Sequence, residues 1–432
     1  MPLTGYDEVC APSGAQRPAV AGFEARTGVS AVEPSKRFVD ALRSGDADNG
    51  PPILPVPLVL PDAEYVDVIA PGVRQRARAM RALFHDLFAG PQLVVRAGAI
   101  DPTLVDVLTE RAGWTTESLR RRWAGTNLAD VCFVHGADLL RDPDGRWVVL
   151  EDNVGCVGGM VDATRVLTAY LRAAGTSLHP CVPLPDDLGE AVSAFLRSVG
   201  VTATDPGVVA LAGQASPCGD FDETRRKVEV LTSLGLLVVD RGMFAAEVAA
   251  GAQYAAVVDL GGEVDVGGAP ALGAPGSGLL ADKALLPVMD EVIRTLLGEE
   301  PILATPATRL IDRLTDHTRG VLKRVDGCGG NDVFVLDDHA FDRRDVLDER
   351  LAAWGKGGAV LQDLVEASTL PSGGPGADRR YRVELRPIAY AVGDDVLVSE
   401  VPVGRAVPLL GDRRGNITQG ASYVAVVREP VA

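Results

Sequence analysis

Six cysteines are spread over 432 residues (Cys10, Cys132, Cys156, Cys181, Cys218 and Cys328), and no two stand in a CxxC pair. That scatter offers neither a disulfide framework nor the ligand spacing of a structural zinc site, and it fits free thiols in a reducing cytoplasm. Apolar runs long enough to span a bilayer are missing. "MPLTGYDEVCAP" has no basic segment followed by an apolar one, so a soluble cytoplasmic protein without a membrane partner is expected. Basic residues are in deficit: 42 Lys and Arg face 59 Asp and Glu, and the formal net charge of −17 disfavours nucleic acid. The five histidines form no HExxH pattern, GxSxG is absent, and no GxxxxGK[ST] loop occurs. With no evident nucleophile, phosphate or cofactor chemistry on small molecules is the class that remains.

Hydrophobic residues make up 47% of the chain, ample for a core, and the length calls for two or three packed subdomains. The pattern divides at 1–178, 179–280 and 281–432. In the first part, "EYVDVIAPGVRQRARAMRALFHDLFAG" has helical apolar spacing and predicts a helix with a glycine C-cap at Gly90. "ADVCFVHGADLL" and "RWVVLEDN" flank the turn "RDPDG", which predicts a hairpin that brings Asp138 near Glu151. The second part alternates helices with the short apolar runs "GVVALAG", "LGLLVVD" and "YAAVVDLGG", the rhythm of a parallel α/β layer. The third opens on a predicted helix, "ADKALLPVMDEVIRTLLG". Strand, glycine loop and strand follow in "GVLKRVDGCGGNDVFVL", then an antiparallel-looking series to the end. No internal repeat interrupts this order. An α/β (α+β) fold is expected.

Glu151 and Asn153 lie two apart on a strand and therefore share a face, while Asp152 points away. With Asp138 from the neighbouring strand they form an all-oxygen set suited to a hard divalent cation such as magnesium. A solvated polar strand end is the plainer alternative. Lys323 lies between apolar neighbours, and Gly327, Gly329 and Gly330 follow it. Glycines let backbone N–H groups approach phosphate oxygens while a lysine supplies charge; a glycine hairpin beside an exposed lysine is the alternative. In "YRVELRPIAY", Arg382, Glu384 and Arg386 share one face, and Arg405 and Asn416 follow. Arginine offers a planar fork for phosphate or carboxylate.

Taken in order, these segments resemble the circularly permuted branch of the ATP-grasp superfamily. Glu151-x-Asn153 precedes Lys323 here, the reverse of the usual ATP-grasp order. The similarity extends over most of the chain, through "GYDEVCAPSGAQRP", "LPVPLVLPDAEYVDVIAPGVRQRARAMRALFHDLF", "HGADLLRDPDGRWVVLEDNVG", "ADKALLPVMDEVIRTLLGEEPIL", "LQDLVEASTLP", "VELRPIAY" and "NITQGAS". The resemblance implies an ATP-grasp fold with an additional α/β subdomain. It implies that Asp138, Glu151 and Asn153 hold Mg2+, and that Lys283 and Lys323 bind ATP phosphates under the glycine loop. Adenine would meet the backbone at Gln362, Asp363 and Leu364. Arg386 and Arg405 would meet the γ-phosphate or an acyl phosphate, with Asn416 in the same pocket. Glu384 would be a further acid beside the metal, and Arg165 matches a family arginine on the substrate side. Two segments depart from the family pattern. "VGCVGG" replaces a basic residue followed by P-S-G, and "LAGQASPCGDFDET" replaces the usual central motif, so no relative's substrate is transferred.

The activity so implied is ATP- and Mg2+-dependent joining of a carboxylate to an amine through an acyl phosphate, on an amino acid or short peptide in a biosynthetic, natural-product pathway. A nucleotide-binding protein without turnover and a phosphotransferase are the alternatives. Homo-oligomerisation is left open.

Overall fold

The computed structural model describes residues 5–45, 51–175, 186–211, 223–261, 264–315, 318–336, 344–372, 379–409, 417 and 420–430. The chain lays down three strands of a sheet, leaves it for two others, and returns to complete it. The first three are β1 (Ile53–Pro61), β2 (Phe133–Arg141) and β3 (Trp147–Val154). A parallel sheet follows, built from β4 (Val208–Leu211), β5 (Leu237–Val239), β6 (Ala256–Asp259) and β7 (Ala271–Leu272) in the order β5-β4-β6-β7. An antiparallel sheet comes next, from β8 (Thr308–Leu310), β9 (Gly320–Arg324), β10 (Val333–Leu336) and β11 (Ala359–Gln362), ordered β10-β9-β11-β8. The return consists of β12 (Thr369–Ser372), β13 (Arg379–Arg386), β14 (Ile388–Val392), β15 (Asp395–Val398), β16 (Val403–Pro408) and β17 (Ser422–Glu429). These join the first three in a nine-stranded sheet of order β1-β17-β16-β13-β2-β14-β15, with β3 paired to β2 and β12 to β13.

Residues 1–178 and 281–432 are thus interleaved in one sheet, and only 308–362 of the latter form a sheet of their own. The apolar patterning explains where each strand sits. All nine residues of β2 are buried, as befits a strand with neighbours on both sides and packing on both faces. β1 carries Pro55 and Pro57, which donate no ladder hydrogen bond; it is an edge strand, and its register with β17 breaks between Leu54 and Leu58.

The helix Ala70–Phe88 buries Val73, Ala77, Met80, Leu83, Phe84 and Leu87, a stripe at helical spacing that packs on β14 and β15. Its closure differs from the expected glycine cap. Ala89 and Gly90 both donate to the His85 carbonyl, and Ala89, not Gly90, is the cap residue, with φ −121°. Gly90 is needed for space, since a Cβ there would lie 2.9 Å from Asp86 Cα. The parallel sheet is the layer read from the sequence, but it shares its core with the large sheet. Leu188, Ala191, Val192 and Phe195 of the helix Asp187–Ser198 join Val208, Ala210 and Val258 to Val134, Ile388 and Tyr390. The β8–β11 sheet has a small core with the helix Arg344–Trp354, through Leu322, Leu336, Leu347, Leu351 and Leu361.

Candidate active site

The turn Asp142–Arg146 closes the β2–β3 hairpin, with the Asp142 carboxylate accepting from the backbone N–H groups of Asp144 and Arg146. The hairpin register sets Asp138 directly opposite Glu151. Leu139 then pairs with Val149, so Leu150 is an extra residue, a bulge just before the acid motif. Glu151 and Asn153 face a cleft together with Asp138, while Asp152 is buried on the opposite face.

The cleft is bounded by β2 and β3, by β9, β10 and β11, and by β13 and β16. Its apolar walls are Leu140 and Leu150 on the large sheet and Val321, Val333 and Val335 on β9 and β10. Gly329 and Gly330 of the loop after β9 line it with φ of 65° and 72°, left-handed backbone that a glycine adopts without strain. Lys323, buried on β9, donates to the Leu150 carbonyl at 3.0 Å and to Gln362 Oε1 at 2.8 Å. Burial pushes its amine below the ordinary lysine range; Glu151 opposes that shift and Lys283 adds to it. Lys283 does not line the cleft but closes its floor. Its Nζ lies 3.1 Å from Glu151 Oε1 and donates to the Gly327 carbonyl at 2.6 Å. The expected helix from Ala281 is replaced there by short 3-10 turns, and the helix runs only from Met289 to Leu297.

The third wall is cationic. Arg382, Glu384 and Arg386 project from one face of β13 into the cleft, and Arg405 joins them from β16, where it pairs across the strands with Glu384. Arg386 grips Asp138 with a bidentate fork, 2.6 Å to Oδ1 and 2.8 Å to Oδ2. Arg405 reaches Asp138 Oδ2 and Glu384 Oε2, each at 3.0 Å. Burial works against the Asp138 charge, but Arg386 and Arg405 outweigh it and hold the carboxyl well below the usual carboxylate range. Burial pushes Glu384 up, against the pull of Arg405 and with the push of Asp138. The cleft lining thus brings four cations, Lys323, Arg382, Arg386 and Arg405, together with five acids, Asp138, Glu151, Asp363, Glu366 and Glu384.

Of the residues singled out from the sequence, Asp138, Glu151, Asn153, Lys323, Gly329, Gly330, Gln362, Asp363, Leu364, Glu384, Arg386 and Arg405 line this one cleft. Gly327 contributes its carbonyl to Lys283 and does not line it. The Asp363 N–H is given to the Ala307 carbonyl. Arg165 stands apart on the helix Asp162–Ala173, paired with Asp162 at 3.2 Å and over the Tyr423 ring. Asn416 lies outside the described residues. Sequence reading missed the Leu150 carbonyl and the valine walls; Val333 and Val335, two apart on a strand, were the available signal.

For a divalent cation the donor chemistry fits. Glu151 and Asn153 present a carboxylate and an amide oxygen on one face, and magnesium commonly takes one or two protein oxygens beside phosphate and water. Among the described residues no cluster of three or more His, Cys, Asp or Glu forms a ready-made cage, and Asp138 gives both carboxylate oxygens to arginines. The site therefore suits a metal that arrives with phosphate ligands.

Comparison with known proteins gives the architecture a name. Residues 57–209 match the family described as circularly permuted ATP-grasp type 2. A solved glutathione synthetase-like effector from Globodera pallida, in apo form, superposes with a TM-score of 0.54 at 12% identity, over 97% of this chain and 99% of that one. The chain has a circularly permuted ATP-grasp fold. Among curated proteins, "Putative glutamate--cysteine ligase 2-3" of Frankia alni is 27% identical over 94% of this chain and 51% of its own length. A similarly named Frankia casuarinae protein is also 27% identical, over 94% of this chain and 52% of its own. The chain spans about half the length of these two relatives. In ATP-grasp terms, the cleft lies between the β8–β11 sheet and the large sheet. No helix among the described residues is long and apolar enough to cross a membrane.

Proposed function

We propose that the protein is an ATP- and magnesium-dependent carboxylate–amine ligase acting on an amino acid or short peptide, in a biosynthetic pathway of the natural-product kind. One observation carries this reading: an oxygen pair, Glu151 and Asn153, Lys323 with the glycine loop, and an arginine pair converge on a single cleft from separate parts of the chain, with Lys283 held against Glu151 behind it. In it, residues 1–178 and 281–432 supply the nucleotide site, and 179–280 flank the substrate side.

The apolar slot between Leu140, Leu150, Val321 and Val335 suits a planar base, next to the segment Gln362 to Leu364. Lys283, Lys323 and the N–H groups at Gly329 and Gly330 take the phosphates. Glu151 and Asn153 would hold magnesium, which would supply positive charge to the phosphate oxygens. Arg386 and Arg405, aligned by Asp138, counter the charge spread over the transferring phosphoryl group. A substrate carboxylate oxygen attacks the γ-phosphorus and ADP leaves. An amine nitrogen then attacks the acyl phosphate, a C–N bond forms, and phosphate departs. Glu384, Arg165 and Asn416 are assigned to the substrate side. The names borne by the two Frankia relatives support amino acids as the first substrates to try.

The test is coupled ADP release with ATP and magnesium across single amino acids and then pairs, with mass spectra of each positive mixture. A product lighter than its two substrates by one water is expected, and hydroxylamine should trap a hydroxamate. ADP release that no amine stimulates and that yields no hydroxamate would point to phosphoryl transfer alone. Nucleotide binding without any turnover would leave a binding protein.

A further inference from the structure

Between Glu151 and Asn153 stands a residue the proposed chemistry does not use. Asp152 points to the back of β3, where it is 5% exposed, against Arg76 at 1%. Arg76 comes from the helix Ala70–Phe88 and grips the carboxylate with Nε at 2.7 Å from Oδ1 and Nη2 at 2.7 Å from Oδ2. Its remaining nitrogen, Nη1, donates to Thr305 Oγ1 at 3.0 Å, and Thr305 donates to Asp290 at 3.1 Å. His135 of β2 meets Asp152 Oδ1 at 2.9 Å. A buried charge pair this fully satisfied sits directly behind the two oxygen donors of the cleft.

Its position follows the bulge at Leu150, where Asp138 pairs with Glu151 but Leu139 with Val149. A bulge breaks the two-residue alternation of a strand, so the pairing upstream no longer dictates which face the next residue takes. Beyond it the ladder resumes through Ala137–Asp152, Gly136–Asn153 and His135–Val154, and the contact of Asp152 with Arg76 adds a hold on that phase from outside the hairpin. We propose that Asp152, held by Arg76, is a positioning residue that fixes the phase of β3 beyond the bulge and so keeps Glu151 and Asn153 turned into the cleft to hold a divalent cation with nucleotide phosphate. The inference rests on the ligase reading of that cleft. Alternation does the rest: with Asp152 pinned to the back, its two neighbours must face forward.

The experiment measures Mn2+ binding by electron paramagnetic resonance in the full chain, with and without a non-hydrolysable ATP analogue, beside analogue affinity without metal and thermal unfolding. Two variants are compared with wild type. The double variant Arg76→Met, Asp152→Leu removes both charges together and so strands neither, while Arg76→Lys keeps the charge but replaces the fork by a single point. Analogue-dependent Mn2+ affinity is expected to fall tenfold or more in the double variant and severalfold in Arg76→Lys, with metal-free analogue affinity within threefold of wild type. A folded double variant that binds Mn2+ as wild type does overturns the inference. Should the double variant not fold, Arg76→Lys decides: reduced Mn2+ affinity supports phase-setting, and wild-type affinity rejects it, leaving the pair a folding element only. Wild-type protein that binds the analogue but shows no analogue-dependent Mn2+ binding rejects both this inference and the ligase reading.

Discussion

Lys323→Met is the perturbation whose two consequences the structure separates most cleanly. The lysine is 6% exposed, and its amine donates to the Leu150 carbonyl and Gln362 Oε1. Removing a buried hydrogen-bonded charge that meets a ligand phosphate costs about 2–5 kcal/mol of binding. At about 1.4 kcal/mol per tenfold, nucleotide affinity should fall roughly 30-fold to a few thousand-fold. Stability should respond differently. Burial disfavours the charged amine in the folded state, so its removal relieves a penalty, while the loss of Gln362's donor costs about 1–3 kcal/mol. Methionine fills the stem's volume, and with the two terms opposed the melting temperature should move by less than about 4 °C. The pH dependence has a sign. The folded value lies below 10.5, so over that interval the unfolded chain binds the extra proton and the lysine's penalty fades as pH rises. Wild type should therefore gain on the variant toward alkaline pH. The assay is calorimetric titration with a non-hydrolysable ATP analogue beside differential scanning fluorimetry. Affinity within threefold of wild type refutes the phosphate assignment, and a collapse of the melting temperature by more than about 10 °C refutes the account of the buried charge.

Glu151→Gln keeps the shape of the side chain facing Lys283 but removes its charge; ADP release should drop by about 100-fold or more, a loss of the size seen for single electrostatic groups, while fluorescence titration finds nucleotide still bound. Gly404→Ala would set a Cβ 2.5 Å from the Val424 carbonyl oxygen and 2.7 Å from Val426 Cγ2; overpacking of this kind costs about 1–3 kcal/mol and should lower the thermal midpoint by several degrees. Asp187 is pushed up to about 6, chiefly by burial, against the Glu400 N–H that bonds it. Its folded value exceeds 3.8, so the native state holds the proton longer and stability is lost as pH rises from about 4 to about 6. Asp187→Asn should raise chemical stability at pH 8 by on the order of 1 kcal/mol and leave it unchanged at pH 4, as denaturant titrations at both values would show.

The hairpin that carries Glu151 was legible because its signals are local: alternation on both strands and an Asp-Pro-Asp-Gly turn between them. The turn alone brings Asp138 near Glu151, but a regular ladder counted from it would pair Asp138 with Leu150, and the direct facing comes from the bulge. The bulge at Leu150 was not legible, because it depends on which partners meet Leu150 from outside the hairpin; its carbonyl is taken by Lys323, 173 residues away. Lys283 was read onto a helix that begins only at Met289. The apolar spacing is helical throughout, but Pro287 has no N–H to donate to the Lys283 carbonyl, which accepts from the Leu286 N–H instead, and the Asp282 side chain caps a separate turn through the Ala284 N–H. That signal was present in the sequence. The assignment of β12–β17 to the sheet of β1–β3 was beyond reach, since neither propensity nor pattern says which of two antiparallel sheets a late strand will join.

That joining is what makes the arginine wall possible. β13 lies between β2 and β16, pairing Glu384 with Leu140 on one side and with Arg405 on the other. The same register that buries Val383 and Leu385 on the back turns Arg382, Glu384 and Arg386 into the cleft, and a slip of one residue would exchange the two sets. Two buried apolar side chains and two arginine–acid contacts thus vote for one alignment. Gly136 completes it from β2: a Cβ there would lie 2.6 Å from Val157 and 3.2 Å from Arg386 Cδ, so the arginine's stem lies across bare backbone to reach Asp138. The cationic wall and the oxygen donors therefore meet through strand register within the large sheet, and the order in which the chain supplies those strands, permuted or not, leaves that geometry unchanged.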